Sequence, residues 1–178
     1  MDKKIITCFC FLLLSLLTVT IPSEAKKKVH TIGDSTMANY ATDGTTDKRG
    51  WAQMLQQFFN VDNVTVNNRG KSGASSKSFY LESAYWPTLV TGGSDAMQAG
   101  DFLLIQFAHN DEKNGGADGD VVKEYYANQG DATTAASTDY RGTTASGTYK
   151  EYIRKYIDEA KAMGVKPIVV GPICRKYF

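Results

Sequence analysis

Four short apolar segments, rich in β-branched or aromatic residues, recur along the chain and predict buried β-strands. They lie at Val29–Ile32, Val64–Val66, Phe102–Phe107 and Val165–Val170. The third segment is apolar at almost every position instead of alternating with polar residues. Such a continuous pattern is typical of a strand covered on both faces, as in a parallel sheet.

Amphipathic helices are predicted between these strands. Residues Trp51–Phe59 place apolar side chains at helical spacing, and residues Tyr149–Met163 carry one apolar stripe beside charged positions. Gly164 follows directly and suits the C′ position that ends a helix. Because strands alternate with helices, the sequence predicts a single α/β domain: a three-layer α/β/α sandwich around a parallel sheet, with right-handed crossovers.

The N-terminus has the three-part pattern of a secretory signal peptide. Two lysines, Lys3 and Lys4, precede an apolar run over Ile5–Ile21, and small residues follow at Ser23 and Ala25. This pattern predicts a signal peptide over residues 1–25, cleaved after Ala25. The alternative is an uncleaved membrane anchor, although the run is slightly short for a span of about 20 residues. The mature protein is therefore expected to be secreted or periplasmic.

Residues 26–178 are enough for one domain with a substantial core. The formal net charge of +1 and the absence of long charged blocks argue against a nucleic-acid partner or an anionic membrane surface. Cys174 is the only cysteine of this part, so no internal disulfide is expected, and its apolar neighbours predict a buried position. No Cys/His/Asp spacing indicates a metal site, and neither a metal nor another cofactor is predicted.

Each of the first three predicted strands is followed by a loop whose residues suit acyl transfer. Ser35 follows the first strand, Gly70 lies in the loop after the second, and Asn110 follows the third. In an open parallel sheet the carboxyl ends of the strands share one crevice, so these loops are expected to converge. Ser35, placed where a strand enters a loop after a glycine, is a candidate nucleophile. The alternative for this position is an ordinary helix N-cap.

A serine that attacks an ester creates an oxyanion, which needs preorganised donors. Gly70 offers a backbone N–H without an obstructing side chain, and Asn110 offers its amide NH₂. The alternatives are that the Asn67–Gly73 stretch is only a polar turn and that Asn110 and Asp111 form a helix cap. Three such loops after three strands in order favour a catalytic site.

With these motifs the sequence resembles the SGNH hydrolases, also called the GDSL family, and within it most closely the rhamnogalacturonan acetylesterases. The likeness extends over essentially the whole mature chain and rests on Ile32-Gly33-Asp34-Ser35-Thr36-Met37-Ala38, Arg69-Gly70-Lys71-Ser72, Gln106-Phe107-Ala108-His109-Asn110-Asp111 and Gly171-Pro172-Ile173-Cys174-Arg175.

The resemblance implies a flavodoxin-like sandwich in which Ser35 is the nucleophile. The oxyanion hole would consist of the Ser35 N–H, the Gly70 N–H and the Asn110 side chain. The implied substrate is an acetylated polysaccharide or oligosaccharide of the pectic type, here rhamnogalacturonan, with no metal or cofactor. The implied activity is a serine hydrolase acting on acetyl ester bonds.

A general base for Ser35 is missing from the pattern. His30 and His109 are the only histidines. His30 lies five residues before Ser35 on the same strand, roughly 16 Å away at about 3.3 Å per residue, which is too far. His109 is next to Asn110 and is expected to point away from the site and to steady its loop, while Asp34 is expected to accept hydrogen bonds from neighbouring loop amides.

The family takes its base from a final Asp-x-x-His block, which this sequence does not contain. We therefore expect the sequence to be partial, with the last helix of the fold missing, and to retain at most the residual catalysis that an oxyanion hole and binding provide.

The competing hypothesis is a non-catalytic, exported carbohydrate-binding protein on the same scaffold. Aromatic side chains would then stack on sugar faces, although core packing is the more common use of such residues. The Gly-, Ser- and Thr-rich stretch from Asn114 to Gly147 predicts either a functional rim or lid, or surface filler. The candidate aromatic residues are Tyr80, Tyr85, Trp86, Tyr125 and Tyr126.

Overall fold

A four-stranded parallel sheet organises the computed structural model, which describes residues 26–112 and 141–174. The strands are β1 (Lys27–Gly33), β2 (Val64–Asn68), β3 (Phe102–Gln106) and β4 (Lys166–Val169), in the spatial order β2-β1-β3-β4. All neighbouring pairs run parallel. The four predicted strands and the parallel sheet are thus confirmed, with boundaries that differ by one or two residues.

Three α-helices are described: α1 (Ser76–Leu81), α2 (Trp86–Thr91) and α3 (Thr148–Ala162). Helix α3 confirms the predicted C-terminal helix, and Gly164 follows it with a φ of +74°. The predicted helix after β1 is a 3₁₀ helix over Trp51–Phe58.

The apolar stripe of the 3₁₀ helix is largely outside the core, since Met54 and Phe58 are 41% and 74% exposed. A second, short 3₁₀ helix spans Gly93–Asp95. Helices α1 and α2 have only six residues each, too few to produce a periodic pattern.

The hydrophobic core lies between one face of the sheet and the three α-helices. Alternate side chains of β1 and β3 point to this face, as the two-residue period of a strand requires. Tyr156 of α3 is fully buried, stacks on Phe107 and meets Trp86 edge to face. The buried cluster includes Ile32, Leu103, Ile105 and Phe107 from the sheet side and Phe79, Trp86, Leu89, Tyr156 and Ala160 from the helices.

The 3₁₀ helix lies toward the opposite face of the sheet. Gln106, whose side chain alternates with those of Ile105 and Phe107, accepts a hydrogen bond of 2.7 Å from Trp51 Nε1 on that side. Helical segments therefore flank the sheet on both faces, in agreement with the predicted three-layer architecture.

The free edge of β2 is partly occupied by the side chain of Gln56 from the 3₁₀ helix. Gln56 Oε1 accepts from the Val66 N–H at 2.8 Å, and Gln56 Nε2 donates to the Val64 carbonyl at 3.2 Å. Side-chain pairing of this kind removes exposed backbone groups that would otherwise template another strand.

Several sequence expectations concern the periphery of the fold. Cys174 is exposed, so the prediction of a buried position is wrong. Across 26–112 and 141–174, no helix is long and apolar enough to cross a membrane. The predicted signal peptide and most of the Asn114–Gly147 stretch lie outside the described residues.

Candidate active site

The turn after β1 carries Ser35. The turn requires a glycine at position 33, because a Cβ there would collide with Met37 Sδ and lie 2.5 Å from the Gln106 carbonyl oxygen. The buried carboxylate of Asp34 accepts the Thr36 N–H at 2.8 Å, which confirms its expected scaffold role.

Ser35 itself is half-buried and held through its backbone. The Tyr40 hydroxyl donates to the Ser35 carbonyl at 2.8 Å. Among the described residues, neither the Ser35 hydroxyl nor the Ser35 N–H has a hydrogen-bond partner. No residue of the described ranges therefore occupies either group at this edge of the sheet.

The loop after β2 lies directly beside this turn, because the Lys71 N–H donates to the Gly33 carbonyl at 2.9 Å. Within the loop, the Gly70 N–H donates to Asn68 Oδ1 at 3.0 Å. A Cβ at Gly70 would also lie 2.8 Å from the Ala38 backbone nitrogen. Gly70 thus serves close backbone packing, and its N–H is held toward the Asn68 side chain; its role as an oxyanion donor stays a prediction.

Gly73, three residues further on, is a second candidate donor in the same loop. Its φ is +82°, a conformation that side chains disfavour, and its N–H has no partner among the described residues. The nearest atom to a Cβ placed there is Arg141 Nη1, at 3.9 Å. The one sign of this candidate in the sequence is that the polar loop contains a second glycine.

The loop after β3 joins the same edge through Asn110. Asn110 is 5% exposed, and its Nδ2 donates to the Ala74 carbonyl at 2.9 Å. An amide NH₂ carries two hydrogens, so one donor remains for a ligand. The structure therefore brings Ser35, Asn110 and the Gly73–Ala74 segment to one edge of the sheet.

Asp111 fixes this third loop to its neighbours. Its carboxylate accepts the N–H and the hydroxyl of Ser76, at 3.1 Å and 2.5 Å, and the hydroxyl of Thr143 at 2.9 Å. Burial is the main cause that raises the pKa of Asp111 to about 6, against the opposing effect of these donors. The sequence indicated only a possible helix cap here, since Thr143 and Ser76 are distant along the chain.

Both histidines have partners other than Ser35. His30 is fully buried in β1, where its Nε2 donates to Asp101 Oδ2 at 3.3 Å and its Nδ1 accepts from Asn67 Nδ2 at 3.1 Å. Burial lowers the pKa of His30, against the opposing effect of Asp101, and so favours its neutral form. These contacts agree with the exclusion of His30 as a base.

His109 has the structural role expected of it. Its Nε2 lies 2.6 Å from the Ile173 carbonyl oxygen, so that nitrogen carries the proton and donates. Its Nδ1 faces Asp34 Oδ2 at 3.9 Å. The Nε2 hydrogen bond thereby connects the β3 loop to the segment after β4.

Gln106 supports the same edge from inside the sheet and was not identified from the sequence. Its Oε1 accepts from Thr36 Oγ1 at 3.0 Å as well as from Trp51, and its Nε2 donates to the Gly171 carbonyl at 2.8 Å. One buried amide thus ties the Ser35 turn to the chain after β4. No sequence pattern indicates this role, because Gln106 lies in a strand whose other positions are apolar.

The arrangement can bind and attack an ester carbonyl. It presents the Ser35 hydroxyl, the N–H groups of Ser35 and Gly73, and the second amide hydrogen of Asn110. None of these has a partner among the residues that the structure describes, and the N–H groups suit a developing negative charge. Within the described ranges, no group of three or more His, Cys, Asp or Glu side chains is placed to hold a metal ion.

Comparison with known proteins gives a family match over almost the whole chain. The model of the GDSL-like Lipase/Acylhydrolase family matches residues 31–177. The chain is 27% identical over 150 residues to a probable rhamnogalacturonan acetylesterase, YesY, and 28% identical over 151 residues to the rhamnogalacturonan acetylesterase RhgT, both of Bacillus subtilis. It is also 28% identical over 134 residues to a rhamnogalacturonan acetylesterase of Emericella nidulans.

These matches cover 84%, 85% and 75% of this chain but 55%, 51% and 47% of the relatives. The chain thus spans about half the length of the curated relatives it matches. Among solved structures, the protein YXIM of Bacillus subtilis is similar in fold, with a TM-score of 0.56 and 20% sequence identity. That similarity covers 83% of this chain and 33% of the solved one.

Proposed function

The chain belongs to the GDSL-like lipase/acylhydrolase family, and on that premise we propose that it carries the nucleophile and oxyanion donors of a serine carbohydrate esterase. The observation that supports this most is the Ser35 hydroxyl, which shares one sheet edge with the Gly73 N–H and the Asn110 amide; within residues 26–112 and 141–174 neither the hydroxyl nor the Gly73 N–H has a partner. The proposed substrate is an acetylated pectic polysaccharide of the rhamnogalacturonan type, because the relatives are named for that activity.

In the proposed reaction, Ser35 Oγ attacks the carbonyl carbon of the acetyl ester. The carbonyl oxygen becomes an oxyanion and accepts hydrogen bonds from the N–H groups of Ser35 and Gly73 and from Asn110. The C–O bond to the sugar then breaks, and the sugar leaves as an alcohol after it takes a proton. Water hydrolyses the acetyl-serine to release acetate and restore the hydroxyl.

The reaction needs a base that accepts the Ser35 proton, and neither histidine of this chain is bonded to that serine. His30 is bound to Asp101 and Asn67, and His109 donates to the Ile173 carbonyl. We propose that the base is supplied by a group other than these two histidines. An external base is then expected to accelerate the reaction at Ser35.

Acetate release tests the proposal. The chain is incubated with 4-nitrophenyl acetate or acetylated rhamnogalacturonan, with and without imidazole as an external base. We expect imidazole to raise the rate of the unmodified chain above that of Ser35→Ala, while Ser72→Ala, an exposed serine in the β2 loop, behaves as unmodified. Equal rates for the unmodified chain and Ser35→Ala under every condition would refute a nucleophilic role for Ser35.

The non-catalytic carbohydrate-binding alternative loses part of its support. Trp86 is 2% exposed, and its Nε1 donates to Glu159 at 2.7 Å; the Tyr80 hydroxyl donates to the same carboxylate. These two aromatic side chains therefore pack α1 and α2 against α3 and are not free stacking platforms. Tyr125 and Tyr126 lie outside the described residues.

Export is part of the proposed function, because the polymer lies outside the cell that would degrade it. The support is the sequence pattern of residues 1–25. N-terminal sequencing of protein recovered from the periplasm or medium of an expressing bacterium should begin at Lys26. Full-length protein retained in the cytosol would contradict export.

A further inference from the structure

Gln106 and Trp51 together hold the residue that follows Ser35. Gln106 Oε1 lies 3.0 Å from the Thr36 hydroxyl and 2.7 Å from Trp51 Nε1. The Trp51 backbone N–H donates in turn to the Thr36 carbonyl at 2.9 Å. Thr36 is therefore bound at its side chain and at its backbone by two residues that are also bound to each other.

The orientation of the Gln106 amide follows from its partners. An indole N–H can only donate, so the atom 2.7 Å from Trp51 Nε1 must be the amide oxygen. A backbone carbonyl can only accept, so the atom 2.8 Å from the Gly171 carbonyl oxygen must be the amide nitrogen. Gln106 is 3% exposed, so water cannot readily replace either contact. The position requires a side chain that has both an acceptor and a donor.

The Ser35 turn, residues 34–37, is closed on its other side by Asp34. Asp34 Oδ1 accepts the N–H of Thr36 and lies 2.8 Å from the Thr36 hydroxyl oxygen. The Thr36 hydroxyl thus lies between the Asp34 carboxylate and the Gln106 amide. Because Ser35 is the residue between Asp34 and Thr36, a shift of Thr36 would move Ser35 relative to Asn110. A displacement of about 1 Å at a reacting group can change a rate about 100-fold.

We propose that Gln106 is the positioning residue for the Ser35 hydroxyl. Its amide fixes Thr36 against the segment after β4, and so sets where the hydroxyl lies relative to the Asn110 donor. The kinetic consequence rests on the proposed function, because it takes Ser35 as the nucleophile, whereas the conformational consequence does not. Loss of the amide should slow acyl transfer and leave ester binding unchanged, because Gln106 lies beneath the turn and acts through Thr36.

Amide hydrogen exchange, measured by NMR, tests the conformational consequence. Gln106→Met keeps the length of the side chain and removes both hydrogen-bonding groups. Gln56→Met is the matched control, since the Gln56 amide also accepts and donates, but at the outer edge of β2. We expect Gln106→Met to speed exchange of the backbone N–H groups at positions 36 and 51 at least about 10-fold relative to the amides of α3. Gln56→Met should leave that ratio unchanged.

Acetylation by 4-nitrophenyl acetate at a fixed imidazole concentration tests the kinetic consequence. We expect Gln106→Met to lower the maximal rate of Ser35 acetylation about 10- to 100-fold and to keep the half-saturating ester concentration within about 2-fold. Gln56→Met should match the unmodified chain in both quantities. Trp51→Phe is a milder change that removes only the indole N–H. It should act in the same direction, and its effect should not add to that of Gln106→Met.

The two consequences can fail separately. If the unmodified chain is not acetylated at Ser35, the proposed function is wrong, and hydrogen exchange alone decides the positioning role. That role is wrong if exchange at positions 36 and 51 keeps its ratio to α3 in Gln106→Met and in Trp51→Phe. It is also wrong if acetylation slows only through a higher half-saturating ester concentration, or slows equally in Gln56→Met. Should circular dichroism show that Gln106→Met is unfolded, Trp51→Phe decides by the same two measurements.

Discussion

Gly70 and Gly73 lie three residues apart in the loop after β2, yet the backbone needs a glycine at each for a different reason. Gly70 allows close contact with the Met37–Ala38 backbone, whereas Gly73 adopts a φ of +82°. Both positions are glycines in a polar stretch, so the sequence alone could not separate them. The difference depends on the Asn68 side chain, whose Oδ1 accepts the N–H of Gly70 and not that of Gly73.

The packing role of Gly70 gives a stability prediction. In Gly70→Ala, the new methyl group would meet the backbone of residues 37 and 38 at 2.8 Å, and rigid backbone cannot move as a side-chain end does. We expect a loss of about 1–3 kcal/mol in the free energy of unfolding, measured by urea denaturation. Gly171→Ala is the control, since a Cβ there has nothing within 4 Å. Equal stability of the two variants would contradict the packing role.

Asp111 gives a pH prediction with a definite sign. Its pKa is raised from 3.8 to about 6 in the fold, so the folded state holds a proton that the unfolded chain releases. Its contribution is therefore fully present below about pH 4 and is lost as the pH rises to about 6. The slope is at most about 1.4 kcal/mol per pH unit.

Asp111→Asn isolates this contribution, because asparagine does not titrate. His30 acts in the opposite direction over part of the same range, since its lowered pKa removes stability as the pH falls. We therefore compare the two proteins at each pH by urea denaturation and plot the difference in the free energy of unfolding. The unmodified chain should lose stability relative to Asp111→Asn between pH 4 and pH 6. A difference in the free energy of unfolding that does not change with pH would refute the raised pKa.

At the scale of elements, strands and helices with a clear apolar pattern could be predicted from the sequence, and the six-residue helices could not. The apolar run of β3 and the fifteen-residue stripe of α3 each specify their type and face. Helix α1 is defined by a capping box in which Ser75 and Ser78 exchange hydrogen bonds, with serine at N3 where glutamate or glutamine is the usual sign. That local signal is too common in polar loops to predict a six-residue helix.

The capping box makes α1 sensitive to one hydroxyl. Ser75 Oγ accepts the Ser78 N–H at 3.0 Å in a buried setting, and no water can replace that acceptor readily. Ser75→Ala should cost about 1 kcal/mol, within a usual range of about 0.5–2 kcal/mol. Thermal or urea unfolding measures the loss, with the exposed Ser72→Ala as the matched control. A Ser75→Ala protein as stable as Ser72→Ala would show that the cap contributes nothing.

At the scale of the whole molecule, the parallel sheet explains why the site could be predicted in outline. Loops that follow parallel strands emerge at one edge, so Ser35 and Asn110 lie at the same edge although 75 positions separate them in the chain. The supporting contacts could not be predicted, because Gln106, Asp111 and Thr143 act through side-chain hydrogen bonds between distant segments. Neither the order of the strands nor the apolar pattern of the sequence indicates such hydrogen bonds.

The central claim is that Ser35 is the nucleophile of an acetyl-transferring site, and detection of the acetyl-serine tests it most directly. The chain is incubated with 4-nitrophenyl acetate, quenched in acid, digested and analysed by tandem mass spectrometry. Without added imidazole, deacylation should be slow and should leave one acetyl group on Ser35, in the unmodified chain and in Ser72→Ala. Acetylation confined to other residues, or the same labelling in Ser35→Ala, would contradict the account.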